Sequence, residues 1–397
     1  MSVKSMANKT SATDKNILLI HITHGFGGAE VHKIALYKLL IEQKYNALLL
    51  VAKNSPMEQE LQKLDLPYRT TKISIFLPVS ILYRWALYYT MYKLCSENLH
   101  TIVQCYTEKD SWAAQRIAQS LPIKIVLERH IPTPIRHTKT LLCDAIIGVS
   151  KPITIALEKQ AHEINSHVII EWVGPFFNED TFLQFRSSDN FGNSNNFDNR
   201  ALFFKKNFNS TLKDLPIITM IAHMNKDITH KNHPLILNAL HKLVYEKNKP
   251  AQLLLVGHGV GLASLKKLVM TLKLQDYVYF LGFTEQTPAI LFYSDMHVLA
   301  SSKEAFGLVH LEASLMKKPI IAATKTGAVD LIIDGYNGLL FENNNLDSLT
   351  TQIEKLLDNT ILRSEMGQRA FVHARENFSN NAKFKLVERL YQKIFAQ

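Results

Sequence analysis

The chain has 397 residues, a formal net charge of +10 at pH 7 and 47% hydrophobic residues. This length exceeds one ordinary core and predicts two globular domains, while the hydrophobic share excludes an intrinsically disordered chain. The charge favours anionic partners, but there is no zinc-finger spacing, basic helix block or basic-aromatic strand pattern, so nucleic acid is not expected as a partner.

The cysteines and the first residues bear on the cellular compartment. Cys95, Cys105 and Cys143 are far apart and form no C-x-x-C pair. We therefore expect reduced, buried thiols in a cytoplasmic protein. Residues 1–15 are polar and lack an apolar core, which predicts a disordered tail rather than a signal peptide.

Apolar runs alternate with helical patterns through the first half of the chain. An apolar run at residues 16–22 leads into a glycine-rich turn and then into helical periodicity over residues 31–42. Further runs of strand length lie at residues 47–52, 101–106, 123–127 and 145–149. Such alternation predicts a parallel sheet with helices on both faces.

The glycine-rich turn between the first strand and the first helix contains Gly27 and Gly28. Consecutive glycines let the backbone approach a ligand closely, with N–H groups directed at an anion. A tight turn without a ligand is the alternative interpretation.

Residues 73–92 are rich in aromatic side chains and carry a single charge, Arg84. The helix predicted from Pro78 to Cys95 is apolar on most faces, which indicates burial or a membrane. It falls short of the ~20 residues of a spanning helix, and its charge is central, so a span is disfavoured. A core helix is the first alternative. A helix at a membrane interface is the second, because Tyr and Trp favour the headgroup region.

The composition changes in the middle of the chain. Asn and Ser dominate residues 186–196, which predicts a linker or surface insertion over residues 186–207. Strand-length apolar runs then resume at residues 217–222, 252–256, 278–281, 296–300, 320–323 and 338–341.

We predict an α/β protein with two doubly wound domains, residues 16–185 and 208–375. Residues 376–397 are predicted to form a C-terminal helix, with packing back on the N-terminal domain as one arrangement. The functional site is expected in the cleft between the domains, where the carboxyl ends of the strands face each other.

Residues 301–313 carry the strongest functional pattern. Glu304 follows an apolar run, and Glu312 lies eight positions further on, inside a helix expected to begin near Gly307 and Leu308. Free N–H groups at a helix start attract phosphate, and carboxylates accept hydrogen bonds from hydroxyl groups. A nucleotide diphosphate sugar offers both kinds of group.

This run resembles the S-x-x-E-G-F-G-L-x-x-L-E-A signature of retaining family 4 glycosyltransferases, the glycogen-synthase-like group 1 members of the GT-B superfamily. Ala305 replaces the usual glycine. The resemblance covers about residues 16–375 and implies the GT-B fold, two Rossmann-like domains facing a central cleft. It implies that Glu312 binds the ribose hydroxyls and that Glu304 contacts the donor sugar. Three neighbours would also line the donor site: Phe306, Gly307 and Leu308.

Other loops have counterparts in the same family. Gly27 and Gly28 match a G-G-x-E loop that approaches the donor diphosphate. Lys231 matches a diphosphate-binding lysine, and either His223 or Lys226 stands where the family has an arginine.

Three further matches complete the expected site. Gly257 belongs to a V-G-x-G loop on the nucleotide side of the cleft. Gly327 belongs to a loop that resembles G-G-x-x-E, with Asp330 in place of the glutamate. His130 matches a histidine that faces the acceptor and the reacting sugar, although a lone histidine is as often structural.

The resemblance implies a retaining glycosyltransferase that moves a sugar from a nucleotide-sugar donor to a glycan or lipid-linked acceptor, in cell-surface polysaccharide or lipopolysaccharide synthesis. No D-x-D motif is evident, so no metal or other cofactor is expected. The charge and the aromatic segment favour a cytoplasmic protein with peripheral contact to an anionic membrane.

Two alternatives stay open. One is another GT-B enzyme, such as an epimerase or a phosphorylase. The other is a non-catalytic sugar-nucleotide or glycan-binding protein, because the family arginine is missing.

Overall fold

The computed structural model describes residues 16–23, 25–71, 81–98, 102–131, 134–136, 138–164, 166–187 and 196–396. The expected disordered tail, residues 73–80 of the aromatic segment and most of the Asn- and Ser-rich run lie outside these ranges.

The N-terminal half forms a parallel sheet covered by helices. Its strands are β1 (Asn16–His21), β2 (Asn46–Ala52), β3 (Arg69–Thr71), β4 (Ile102–Cys105), β5 (Lys124–Arg129), β6 (Ala145–Gly148) and β7 (Ile169–Trp172). Its helices are α1 (Gly28–Glu42), α2 (Pro56–Lys63), α3 (Ile81–Asn98), α4 (Glu108–Ile117) and α5 (Lys151–Glu163). In the described part of the chain the strand order is β3-β2-β1-β4-β5-β6-β7, and every pairing is parallel.

Two helices connect this sheet to the second one, α6 (Glu179–Ser187) and α7 (Phe197–Phe208). The range expected to be a linker is thus partly helical. Asn196 caps α7 by accepting a hydrogen bond from the backbone N of Asn199, and Phe204 is fully buried against Ile217 and Tyr293. The composition did not indicate this helix, because the run just before α7 is polar.

The C-terminal half repeats the same architecture. Its strands are β8 (Ile217–Ile221), β9 (Gln252–Val256), β10 (Val278–Gly282), β11 (Met296–Leu299), β12 (Ile320–Ala323) and β13 (Gly338–Phe341). Its helices are α8 (His233–His241), α9 (Leu262–Thr271), α10 (Thr287–Tyr293), α11 (Leu308–Leu315), α12 (Leu346–Asp358) and α13 (Thr360–Phe378). The strand order is β10-β9-β8-β11-β12-β13, again parallel throughout.

Both sheets have helices on their two faces, so their central strands are buried and read as continuous apolar runs. All residues of β1 and of β9 are buried, for example. The prediction of two doubly wound parallel α/β domains is confirmed.

The last helix, α14 (Asn380–Phe395), returns to the N-terminal domain. Leu390 and Tyr391 pack in the same core as Tyr37 and Leu49. At the crossing point the backbone N of Phe177 donates to Asn380 Oδ1 at 3.2 Å, and Asn380 Nδ2 donates to the Phe177 carbonyl at 2.6 Å. The C-terminal helix is therefore part of the N-terminal core.

Helix α3 carries the described part of the aromatic segment. Leu87 and Met91 are buried against the N-terminal sheet, whereas Trp85 and Tyr89 are 48% and 68% exposed. No helix in the described ranges is long and apolar enough to cross a membrane.

Candidate active site

The loop between β11 and α11 brings Glu304 to the carboxyl edge of the second sheet. Gly307 caps α11 with φ +86°, and a Cβ there would lie 2.6 Å from a ring carbon of His310. Only glycine accepts this conformation in this space, and it lets α11 begin directly behind Glu304. Leu308 is the first residue of the helix, whose opening N–H groups form a partial positive charge.

Lys231 and Glu304 form an ion pair, with Lys231 Nζ 2.6 Å from Glu304 Oε2. Lys231 belongs to the loop between β8 and α8, so the pair joins loops that follow adjacent strands. Both side chains are partly exposed, at 22% and 15%. An ammonium group held beside a helix start is a suitable diphosphate site.

Glu312 lies in the second turn of α11 and is half-buried. Burial raises the pKa of its carboxyl to about 7. Among the described residues none donates a hydrogen bond to this carboxyl, so its oxygens are open to hydroxyl groups of a ligand. Such donors would stabilise the ionised form.

The loops after β8 and β9 pack backbone against backbone. Gly257 has φ +134°, and a Cβ there would lie 2.2 Å from the carbonyl oxygen of Ala222. The glycine is therefore required for this packing, whatever its relation to a ligand. His223 Nδ1 contacts the His258 carbonyl oxygen, while Lys226 is exposed and makes no ion pair within the described ranges. His223 is thus held by the loop, whereas the Lys226 side chain is exposed to solvent.

Gly327 supports the loop that carries Glu304. Its N–H donates to the Glu304 carbonyl oxygen at 2.9 Å, and a Cβ would lie 1.7 Å from the Ala305 oxygen. The side chain of Phe306 is also internal, with ring centroids 5.6 Å from Phe378. Only the backbone of Phe306 is left to face a ligand.

Asp330, at the end of the short 3₁₀ turn that begins at Gly327, bridges the two domains. Its Oδ2 accepts a hydrogen bond from the backbone N of Lys151 at 2.6 Å, at the start of α5. Burial raises the pKa of Asp330 to about 6, although the Lys151 N–H lowers it in part. The contact caps a helix of the N-terminal domain with a side chain of the C-terminal one.

The glycine-rich turn of the N-terminal domain lies against the start of α11. A Cβ at Gly28 would be 3.4 Å from Leu308 Cδ1, so these residues are in contact across the cleft. Glu30 orders the turn by accepting hydrogen bonds from the Gly27 N–H at 2.9 Å and from Thr23 Oγ1 at 2.8 Å.

The carboxylate of Glu30 also pairs with His21 Nε2 at 2.9 Å. Burial opposes its ionisation, but the hydrogen bonds from His21 and Thr23 outweigh burial and lower the pKa of Glu30 to about 2. A permanently ionised Glu30 therefore holds the glycine-rich turn in place.

Four aromatic rings form a row at the carboxyl edge of the N-terminal sheet. The ring centroids are 4.2 Å apart for His21 and Tyr106, 5.3 Å for Tyr106 and His130, and 4.7 Å for His130 and His32. His130 keeps 10% of its side chain exposed and contacts Glu128, with Nε2 3.5 Å from Oε2. The row places His130 on the cleft side of a buried polar cluster.

His32, Glu128 and His130 bring three potential metal-ligand atoms within 4.8 Å of one another. Their chemistry does not fit a metal ion. The Phe176 N–H donates to His32 Nδ1 at 2.9 Å, so the neutral ring carries its proton on Nε2, the atom directed at Glu128. Burial lowers the pKa of His32 to about 3, so the ring stays neutral, and the Lys33 ammonium already contacts Glu128.

The structure thus brings together Lys231, Glu304, Gly307, Leu308, Glu312, Gly27 and Gly28 around the cleft. Sequence reasoning missed His32, Lys33 and Glu128, because no local motif marks residues that meet only through the fold.

Residues 203–373 match the family described as "Glycosyl transferases group 1". This range contains the second sheet and the loops that carry Lys231, Glu304 and Glu312. This part of the chain is therefore similar to the group 1 glycosyltransferases.

Relatives by sequence carry names of the same kind. N-acetyl-alpha-D-glucosaminyl L-malate synthase of Bacillus anthracis is 30% identical over 202 residues, 50% of this chain and 52% of that protein. The capsular polysaccharide biosynthesis glycosyltransferase CapM of Staphylococcus aureus is 26% identical over 220 residues, 51% and 53% of the two chains. The chain spans about half the length of these curated relatives.

Solved structures are similar over nearly the whole chain. A glycosyltransferase from Rickettsia africae ESF-5 superposes with a TM-score of 0.80 at 21% identity, covering 97% of this chain and 99% of the other. Anabaena HepE in complex with UDP gives a TM-score of 0.76 at 17% identity, covering 96% and 100%. The fold is therefore GT-B, as the sequence resemblance implied.

Proposed function

We propose that this protein is a retaining family 4 glycosyltransferase that transfers a sugar from a nucleotide-sugar donor to a glycan or lipid-linked acceptor. The observation that carries the proposal is the Lys231–Glu304 ion pair at the start of α11, faced by the Gly27–Gly28 turn across the cleft. The two groups, one from each domain, support a donor-binding cleft between the domains.

Each group of the cleft has a role with the donor. Lys231, the first N–H groups of α11 and the Gly27 and Gly28 amides would bind the diphosphate. Glu312 would accept hydrogen bonds from the ribose hydroxyls. Glu304 would exchange part of its contact with Lys231 for a hydroxyl of the sugar.

The reaction needs no protein nucleophile in this proposal. The bond between the anomeric carbon and the phosphate oxygen breaks while the acceptor oxygen bonds to the same face of the sugar. The acceptor proton passes to the departing diphosphate, whose charge Lys231 and α11 stabilise. We propose that no metal or other cofactor takes part.

The names of two relatives support the acceptor side of the proposal. CapM is named for capsular polysaccharide biosynthesis, and another relative is named poly(ribitol-phosphate) alpha-N-acetylglucosaminyltransferase. We therefore propose a role in cell-surface polysaccharide or lipopolysaccharide synthesis in the cytoplasm.

The exposed Trp85 and Tyr89 and the net charge of +10 support peripheral contact with anionic lipid. Replacing both aromatic residues with serine should weaken binding to anionic vesicles at low salt. Unchanged binding would contradict the proposed contact.

The test is a panel of UDP, GDP and ADP sugars, beginning with UDP conjugates because HepE was solved with UDP. Nucleotide release and thermal shift are measured together. A ligand at ~100 times its dissociation constant adds about 2.7 kcal/mol of stability. Donor conversion without an acceptor would favour an epimerase, and binding without turnover a sugar-nucleotide-binding protein. Absence of any shift or turnover across the panel would overturn the proposal.

A further inference from the structure

A buried polar cluster lies beneath His130 and joins α1, β4 and β5. Its centre is Glu128, which is 1% exposed. The Lys33 ammonium and the Gln104 amide contact the Glu128 carboxylate directly. His32 Nε2 lies 3.4 Å and His130 Nε2 3.5 Å from its oxygens. Four nitrogen atoms therefore surround one carboxylate.

The charge of this carboxylate fixes the protons around it. Burial opposes ionisation, but Lys33 and the histidine contacts outweigh burial and hold the pKa of Glu128 well below its usual range. An ionised carboxylate only accepts hydrogen bonds, so each nitrogen that faces it must carry a proton. In a neutral His130 the proton is then on Nε2, and Nδ1 keeps a free lone pair.

Helix α14 reaches this cluster from the other end of the chain. The Tyr391 hydroxyl donates to Gln104 Oε1, which leaves the Gln104 amide nitrogen facing Glu128. Tyr391 and Gln104 are both buried. A hydrogen-bonded path therefore runs from α14 through Gln104 and Glu128 to His130.

We propose that Glu128 is a positioning residue for His130, and that Tyr391 completes the arrangement through Gln104. Glu128 holds the imidazole with its proton on Nε2, so that Nδ1 can accept a hydrogen bond from the hydroxyl of the sugar acceptor. The last step rests on the proposed function, whereas the proton position and the path to α14 do not.

The first experiment uses the full-length protein labelled with ¹⁵N-histidine at pH 8.5, where neutral imidazole dominates for ordinary histidines. A His130→Ala spectrum assigns the two ring nitrogens. We expect a protonated Nε2 whose proton exchanges slowly with solvent, and an unprotonated Nδ1. The opposite proton position would overturn the proposal, whether or not any transfer activity has been found.

Glu128→Gln leaves Lys33 buried without its counter-charge, and the variant can fail to fold. The double variant Lys33→Met with Glu128→Gln removes both charges and keeps the comparison possible. In either folded variant the His130 Nε2 proton should exchange rapidly with solvent. A slowly exchanging proton in both would show that Glu128 does not hold the ring.

The second experiment separates positioning from stability with two tyrosines: Tyr391, which lies on α14, and Tyr45, whose hydroxyl bonds α14. Tyr391→Phe removes the hydroxyl that contacts Gln104. Tyr45→Phe is the matched control, because it also removes a hydroxyl that bonds a residue of α14, Glu388 at 3.1 Å. We expect Tyr391→Phe to speed exchange of the His130 proton and to lower kcat/KM for the acceptor roughly tenfold, with an unchanged nucleotide thermal shift.

Tyr45→Phe should leave these quantities at their wild-type values. The path from α14 would be overturned if the two tyrosine variants had the same exchange rate and the same kcat/KM. It would also be overturned if Tyr391→Phe weakened nucleotide binding as much as it lowered kcat/KM for the acceptor. A protein that binds no nucleotide at all contradicts the proposed function instead, and the NMR result then decides the positioning role by itself.

Discussion

The Lys231 ammonium lies 2.6 Å from the Glu304 carboxylate, and the two residues come from loops that follow adjacent strands. Each side chain limits the positions open to the other, because both are only partly exposed. The pair thus places one positive and one negative group at the start of α11 before any substrate contact is considered. This arrangement suits a ligand that has a diphosphate next to hydroxyl groups.

Lys231→Ala should lower sugar transfer at least roughly tenfold, because it removes the cation aimed at the diphosphate. Lys247→Ala is the matched control, since Lys247 forms a 2.6 Å ion pair with Glu354 elsewhere in the same domain. Initial rates at saturating acceptor measure both variants. Near-normal transfer by a folded Lys231→Ala protein would contradict the assignment of this residue.

Glu312→Ala should also lower sugar transfer by roughly tenfold or more. Glu312→Gln should change the pH dependence of the free energy of unfolding. The pKa of Glu312 is about 7 in the folded protein against 4.5 for an ordinary glutamate. The folded state therefore favours the protonated carboxyl, and its stability falls as pH rises through this interval. The loss approaches ~3 kcal/mol at pH 8.

Glu312→Gln removes that loss. Its urea midpoint should exceed the wild-type midpoint at pH 8 by more than at pH 5. The exposed Glu285→Gln serves as the control and should show no such dependence. A difference between Glu312→Gln and wild type that is the same at both pH values would count against a raised pKa of Glu312 in the folded protein.

Gly327→Ala should destabilise the protein and displace the loop of Glu304. The added Cβ would lie 1.7 Å from the Ala305 oxygen, and the obstacle is backbone rather than a flexible side chain. Overpacking of this kind costs about 1–3 kcal/mol. The expected result is a lower melting temperature together with weaker nucleotide binding.

Gly25→Ala is the control for this substitution, because nothing lies within 4 Å of its Cβ position. Equal melting temperatures for the two alanine variants would show that the loops of Gly327 and Ala305 are not packed as described.

Leu390→Ala should destabilise the N-terminal domain although Leu390 lies in the last helix. The side chain is 1% exposed and packs in the core that contains Tyr37 and Leu49. Truncating a buried leucine costs about 2–5 kcal/mol. Hydrogen exchange resolved by peptide should show faster exchange in β1 and β2, and the exposed Lys385→Ala should leave it unchanged.

The alternation of strands and helices could be predicted from the sequence, because parallel strands that are covered on both faces form continuous apolar runs. The start of α11 was equally accessible, since Gly307 marks a position that only glycine tolerates. Helix α7 was missed because its polar capping run dominated the local composition. The roles of Gly257 and Gly327 in loop packing were also hidden, since their partners Ala222 and Ala305 are not sequence neighbours.

The cluster around Glu128 marks the limit of sequence reasoning for this chain. Lys33, Gln104, Glu128 and Tyr391 lie on separate elements, and no spacing between them predicts a contact. Their meeting depends on the strand order, which places β5 next to β4, and on the return of α14.

The return of α14 has a consequence for biosynthesis. Leu390 and Tyr391 belong to the first core, yet the whole second domain separates them from the strands they cover. Domains generally fold as they leave the ribosome. Part of the apolar surface of the N-terminal sheet therefore stays uncovered until residues 196–378 and then α14 have been synthesised. The second domain thus completes its own core while the first is still unfinished, and chaperones that bind apolar segments have their longest opportunity at the N-terminal sheet.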